Sequence, residues 1–235
     1  MNDDVSVIEF LDMLDKYTSK NNILSYEAIC KLSPEQHFKY MELLGKFEKS
    51  NSLKGKEYSK FKGDSLEEIT TYLMEISGNI FYIKKNIRTG TNEVDLVIEL
   101  NEKGKCLLSK KLIPLQLEHF ICECKNHGTK IGVTYTGKLG SLMQVSHIKL
   151  GLLISYHGVS GKNWTESCGL IKKFYLSRER LEDRFCIIDF NIKNFVEIAN
   201  GANFLQIIHN KLESLQLDTD YKNLLSRHPN ENLII

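Results

Sequence analysis

The stretch Phe120-Ile121-Cys122-Glu123-Cys124-Lys125-Asn126 decides how this chain is read. It is a short apolar run that carries a carboxylate and a lysine two positions apart. In a β-strand alternate side chains share a face, so Glu123 and Lys125 are expected on one face and Cys122 and Cys124 on the other. Upstream, Glu93-Val94-Asp95-Leu96-Val97-Ile98 is a second apolar strand, with Asp95 set among apolar neighbours. Two acids and a lysine held in apolar strands are the raw material of metal-dependent phosphodiester chemistry.

Working outward from these strands, the chain alternates between the two periodicities of regular structure. Leu66, Ile69, Leu73 and Ile76 predict a helix with one apolar face. Asn79 to Lys85 reads as a strand, Arg88 to Asn92 as a turn, and Val94 to Leu100 as the returning strand. Asn101 to Lys105 reads as another turn, and Cys106 to His119 has no assignable pattern. After Phe120 to Lys125 come a helix within Val133 to Lys149, an apolar strand at Gly151 to Ser155 and a helix over roughly Trp164 to Leu176. A strand at Phe185 to Phe190 and a helix from Phe204 to Leu215 complete the order. Hairpins first and helix-separated strands second predict an α/β fold, with a central mixed β-sheet flanked by helices.

Residues 1–62 are expected to form a helical N-terminal segment. Val5, Ile8, Leu11 and Leu14 follow a helical period, Tyr26 to Leu32 is amphipathic, and Ser33-Pro34-Glu35 marks a helix start. The lysine-rich run Lys54 to Lys62 is the expected boundary. Residues 63–217 form the main domain and 218–235 a tail. The N-terminal helices serve docking, dimerisation or DNA contact, or only complete the core.

With 235 residues, 42% apolar and 26% charged, the chain can bury a substantial core. A net charge of +1 neither demands nor excludes nucleic acid, since binding needs only a local basic groove. No apolar run reaches the roughly 18 residues of a membrane span, and the acidic start Met1-Asn2-Asp3-Asp4 is not expected to open a signal peptide. The six scattered cysteines read as buried thiols, so a cytoplasmic protein without a membrane partner is expected.

Phosphodiester hydrolysis needs an activated water and a Lewis acid on the phosphate. Mg²⁺, with Mn²⁺ as substitute, suits carboxylate ligands and retains waters. Asp95 and Glu123 would supply two ligands and the Cys124 carbonyl a third. Lys125 would orient the water and offset negative charge. The plain alternative is an ion pair on an exposed strand. Cys122, Cys124 and His127 suggest zinc only weakly, because no second ligand pair stands at structural spacing. Lys138, Asn126 and Lys130 are candidate DNA contacts, although solvated lysines are common. His119, His127, His147 and His157 have no ordered spacing and read as structural or surface groups. Trp164 reads as a core residue.

The residues Gly63-Asp64-Ser65-Leu66-Glu67, Asn92-Glu93-Val94-Asp95 and Glu123-Cys124-Lys125-Asn126, followed by Gly137-Lys138-Leu139 and Gly151-Leu152-Leu153-Ile154-Ser155, resemble the PD-(D/E)xK nuclease superfamily. Within it they are similar to the Mrr-like restriction endonuclease branch, over about residues 63 to 210. The resemblance implies a restriction-endonuclease-like core and a metal-dependent DNA endonuclease of restriction or anti-phage defence. It places metal binding on Asp95 and Glu123 and catalysis on Lys125, with Glu67 as the acid of the first helix. Glu67 has a second reading, a capping box with Asp64. Val94 stands where many members carry proline. DNA is the implied partner, and a homodimer is expected because duplex cleavage needs two cuts. A silent nucleic-acid-binding scaffold, or a nuclease gated by a partner or ligand, are the alternatives.

Overall fold

A computed structural model describes residues 8–9, 12–13, 26–88 and 93–218. Most of the helix expected over Val5 to Leu14, the turn at 89–92 and the tail beyond Asp218 lie outside the described residues.

Five strands form one mixed sheet in the order β1 (Phe81–Arg88), β2 (Glu93–Leu100), β3 (His119–Lys125), β4 (Leu150–Ser155) and β5 (Cys186–Phe190). The first three are antiparallel, while β3, β4 and β5 run parallel. Parallel pairs need crossover connections. Helices α5 (Val133–Ser146) and α6 (Glu166–Leu176) supply them. Among the described residues the other helices include α1 (Tyr26–Ile29), α2 (Pro34–Ser52), α3 (Ser59–Ile76), α4 (Glu102–Ser109), α7 (Ile192–Ala199) and α8 (Phe204–Leu217). The expected α/β architecture is the one observed.

The pleat of β3 sorts its side chains as expected. Phe120, Cys122 and Cys124 join the larger core, with Leu66, Ile69 and Leu73 of α3, Phe195 of α7 and Phe204 of α8. Ile121 faces the smaller core beside Leu139, Leu142 and Met143 of α5 and Ile171 of α6. Helices thus cover both faces of the sheet, which is why the parallel strands are apolar on both sides. Burying these side chains stabilises the fold by about 25 cal/mol for each Å² of apolar surface removed from water.

Three expectations change. Helix α3 begins at Ser59, so the run Lys54 to Lys62 is no plain linker: it ends in the first turn of that helix. Asp64 then lies inside α3, and its capping-box role with Glu67 is excluded, since a cap precedes the first helical turn. Helix α2 does begin at Ser33, whose Oγ accepts the Gln36 amide at 3.2 Å while its own amide donates to Gln36 Oε1 at 2.8 Å. Its Tyr40 and Phe47 lie in the larger core, and Tyr40 donates to the Phe195 carbonyl at 2.9 Å.

The turn expected at Asn101 to Lys105 is instead the start of α4, with Asn101 Oδ1 accepting from the Gly104 amide at 3.0 Å. Gly104 serves close approach here: a Cβ would meet the Ile80 carbonyl oxygen at 2.6 Å. Among the described residues no helix is long and apolar enough to cross a membrane.

Candidate active site

The register of β2 against β3 creates the site. Paired residues run from Glu99 opposite His119 to Leu96 opposite Cys122, and the pairing stops there. One residue further on, the Asp95 side chain does what a ladder carbonyl would have done: its Oδ2 accepts the Cys124 amide at 2.6 Å. The strands part, and a polar notch opens at the C-terminal end of β3. This is also the C-terminal edge of the parallel strands, where open α/β sheets commonly bind ligands.

Lys125 Nζ sits at the centre of the notch. It stands 3.0 Å from Glu123 Oε1, 3.3 Å from Asp95 Oδ2 and 3.1 Å from the Cys124 carbonyl oxygen, to which it donates. The Glu123 carboxylate is buried, with a side chain 4% exposed. An ion pair on an exposed strand is therefore excluded. A second ammonium, Lys138 Nζ on α5, reaches Glu123 Oε1 at 3.4 Å, and its side chain is 40% exposed. The sequence marked Lys138 as a DNA contact but gave no sign of its contact with Glu123, fifteen residues away.

Burial alone would lower the pKa of Lys125. The charges of Glu123 and Asp95, and hydrogen bonds to both, outweigh it and hold the ammonium above the ordinary lysine value. Glu67, half-buried on α3, is shifted up by burial first, then by Asp95 and Asp64, against the opposing charges of Lys125 and Lys85. Glu67 therefore stands within electrostatic reach of the notch. Among the described residues no group of three His, Cys, Asp or Glu side chains gathers at metal-binding spacing, so Glu67 does not join Asp95 and Glu123 as a third close carboxylate.

The donors that do converge are two carboxylates and one carbonyl, all hard oxygens, and they already surround one cation. Mg²⁺ is commonly held by one or two carboxylates, with waters and phosphate oxygens filling its other positions. The donor set therefore fits that metal. Cys122 and Cys124 do not fit zinc: both point into the larger core, and burial pushes both thiols well above their ordinary values, away from the thiolate that zinc needs.

The other expected contacts fall elsewhere. Asn126 Nδ2 donates to the Lys62 carbonyl at 2.9 Å and to Ser50 Oγ at 3.2 Å, tying the end of β3 to α3 and α2. Lys130 is exposed on the following loop, and its charge acts at Asp189 and Cys168, on the β5 side of the sheet. Trp164 is not a core residue; it is 49% exposed, with Lys172 Nζ 5.0 Å from its ring centroid. No protein-family model, curated protein or solved structure matches this chain.

Proposed function

We propose that this chain is a Mg²⁺-dependent deoxyribonuclease, with Mn²⁺ as a substitute, that hydrolyses DNA phosphodiester bonds at the end of β3. The observation carrying this reading is the convergence of Asp95, Glu123 and the Cys124 carbonyl on a single cation, Lys125 Nζ, at 3.0 to 3.3 Å. The resemblance to PD-(D/E)xK nucleases supports the reaction class and extends the proposal to an endonuclease of the restriction or defence type.

Asp95 and Glu123, with the Cys124 carbonyl, would hold the metal. When bound, it supplies Lewis acidity at the phosphate and a water of lowered pKa. Lys125 keeps its proton because two carboxylates face it, so it does not act as a free base. It instead donates to the attacking water and offsets the negative charge that develops on the phosphate. Lys138 shares Glu123 and offers a partly exposed ammonium to a neighbouring phosphate oxygen. Glu67 supports the metal or its water from α3.

The test incubates the purified protein with supercoiled plasmid, single-stranded DNA and methylated DNA, each with Mg²⁺, Mn²⁺ or EDTA. Cleavage with either metal and none in EDTA is expected. Failure to cut any substrate with either metal contradicts the reading. A catalytically silent scaffold would bind the same DNA and leave it intact.

A further inference from the structure

The segment leaving β3 carries a pair of rings that the proposed chemistry does not use. His127 lies two residues past Lys125 and is exposed. Its ring rests on that of Tyr135, with centroids 5.1 Å apart and planes inclined by 38°. Tyr135 is half-buried in the first turn of α5, three residues before Lys138, so the two share a helix face. The ring pair is thus anchored to both ammonium groups of the notch, His127 through β3 to Lys125 and Tyr135 through α5 to Lys138.

The chain beside it is not crowded: His127 to Lys130 are all exposed, and a Cβ at Gly128 or at Gly132 would meet nothing within 4 Å. Partial burial, and then the charge of Lys125, hold the His127 imidazole below its ordinary pKa. At neutral pH it offers a flat uncharged face rather than a second phosphate-binding charge.

An aromatic surface next to paired ammonium groups has the two parts that single-stranded nucleic acid needs, a ring for the base and cations for the backbone. A base inside a duplex is stacked on both sides and cannot reach such a surface without being extruded. We propose that His127 and Tyr135 form a stacking platform for an unpaired nucleobase beside the phosphate held at Lys125 and Lys138. The site then favours single-stranded or extruded nucleotides over intact duplex. This inference rests on the nuclease reading and adds to it the strand state of the substrate.

The test uses the full chain in EDTA, where cleavage is blocked, and an oligonucleotide carrying 2-aminopurine flanked by thymines. Binding should quench the 2-aminopurine emission of the single strand, and a duplex, whose 2-aminopurine is already quenched by its stacked neighbours, should bind more weakly and change little in emission. His127→Ala and Tyr135→Ala should each weaken single-strand binding about tenfold and lose the quench. His127→Phe, an uncharged ring at an exposed position, should restore both; rescue of this kind is not expected from a purely structural histidine. Alanine variants that bind and quench like the parent, or a phenylalanine that fails to rescue, overturn the platform. If the parent binds and cuts DNA without quenching, the platform alone falls. If it neither binds nor cuts any DNA, the nuclease reading falls with it.

Discussion

Strands β3 and β4 lie side by side in the middle of the sheet, parallel and paired residue for residue, yet they are built differently. Every residue of Leu150–Ser155 in β4 is buried, and all but Ser155 are apolar or glycine. In β3, Glu123 stands opposite Leu153 and Lys125 opposite Ser155. Strand β4 therefore needs no charge at this depth. A buried ion pair is commonly no more stabilising than apolar residues of similar volume, because desolvation offsets the attraction. The charges of β3 are better explained by what they can hold than by what they add to stability. The contrast sets the site apart from β4, not from the whole sheet: on the far side of β4 the buried carboxylate of Asp189 stands opposite Leu153 and accepts from Asn191 Nδ2 at 2.9 Å.

The comparison breaks most sharply if Lys125 proves dispensable to the folded state. Lys125→Ala leaves the Glu123 and Asp95 carboxylates without their shared cation. Breaking a buried pair costs about 3–5 kcal/mol, and the remaining contact from Lys138 places this loss near 3 kcal/mol. Urea unfolding in EDTA measures it. Added Mg²⁺ should recover part of the loss in this variant, because a ligand that binds only the folded state stabilises it. An unchanged unfolding curve would make Lys125 an ordinary surface charge.

A smaller effect is expected when β3 is rewritten as β4. The double variant Glu123→Leu with Lys125→Ser should unfold within about 1 kcal/mol of the parent, or at higher denaturant. Collapse of this variant would mean that the charges hold the strand in place, and the contrast with β4 would lose its meaning.

The smallest effect is that of Glu67→Gln. The Glu67 carboxyl is raised in the fold by burial and by Asp95, so the fold favours its protonated form. That contribution is present below the unfolded value near 4.3 and is lost as pH rises through the higher folded value. Glutamine cannot ionise. Without metal, Glu67→Gln should therefore raise Tm slightly at about pH 8 and leave it unchanged at about pH 4. A Tm difference that is the same at both pH values contradicts the assignment.

Much of this was legible in the chain because it is local. Alternation alone separates Glu123 and Lys125 from Cys122 and Cys124, and the spacing of Leu66, Ile69, Leu73 and Ile76 gives the buried face of α3. What escaped depends on tertiary approach. Gly104 looks like a turn residue, but it is a glycine because a helix passes against the Ile80 carbonyl. Polar residues from Lys54 to Lys62 look like a linker because the first turn of α3 faces water. Helix α7 spans only Ile192–Ala199; Ile192, Phe195, Val196 and Ala199 do keep a helical period there, but over just two turns, and its capping box at Asn191 uses Asn194 rather than Glu or Gln. The notch itself depends on where β2 leaves β3 and on how α5 lies over the sheet. Neither the Asp95 bond to the Cys124 amide nor the Lys138 contact with Glu123 leaves a spacing signal.

The central claim, that the charges of β3 form a metal-dependent cleavage site, is tested most directly by the rate of supercoiled plasmid conversion in Mg²⁺. The parent is compared with Asp95→Ala, Glu123→Ala and Lys125→Ala, each checked for folding by circular dichroism. The account predicts cleavage by the parent and a loss of about a hundred- to a thousandfold in each variant, the scale on which single electrostatic catalytic groups act. Folded variants that cut as fast as the parent would contradict it.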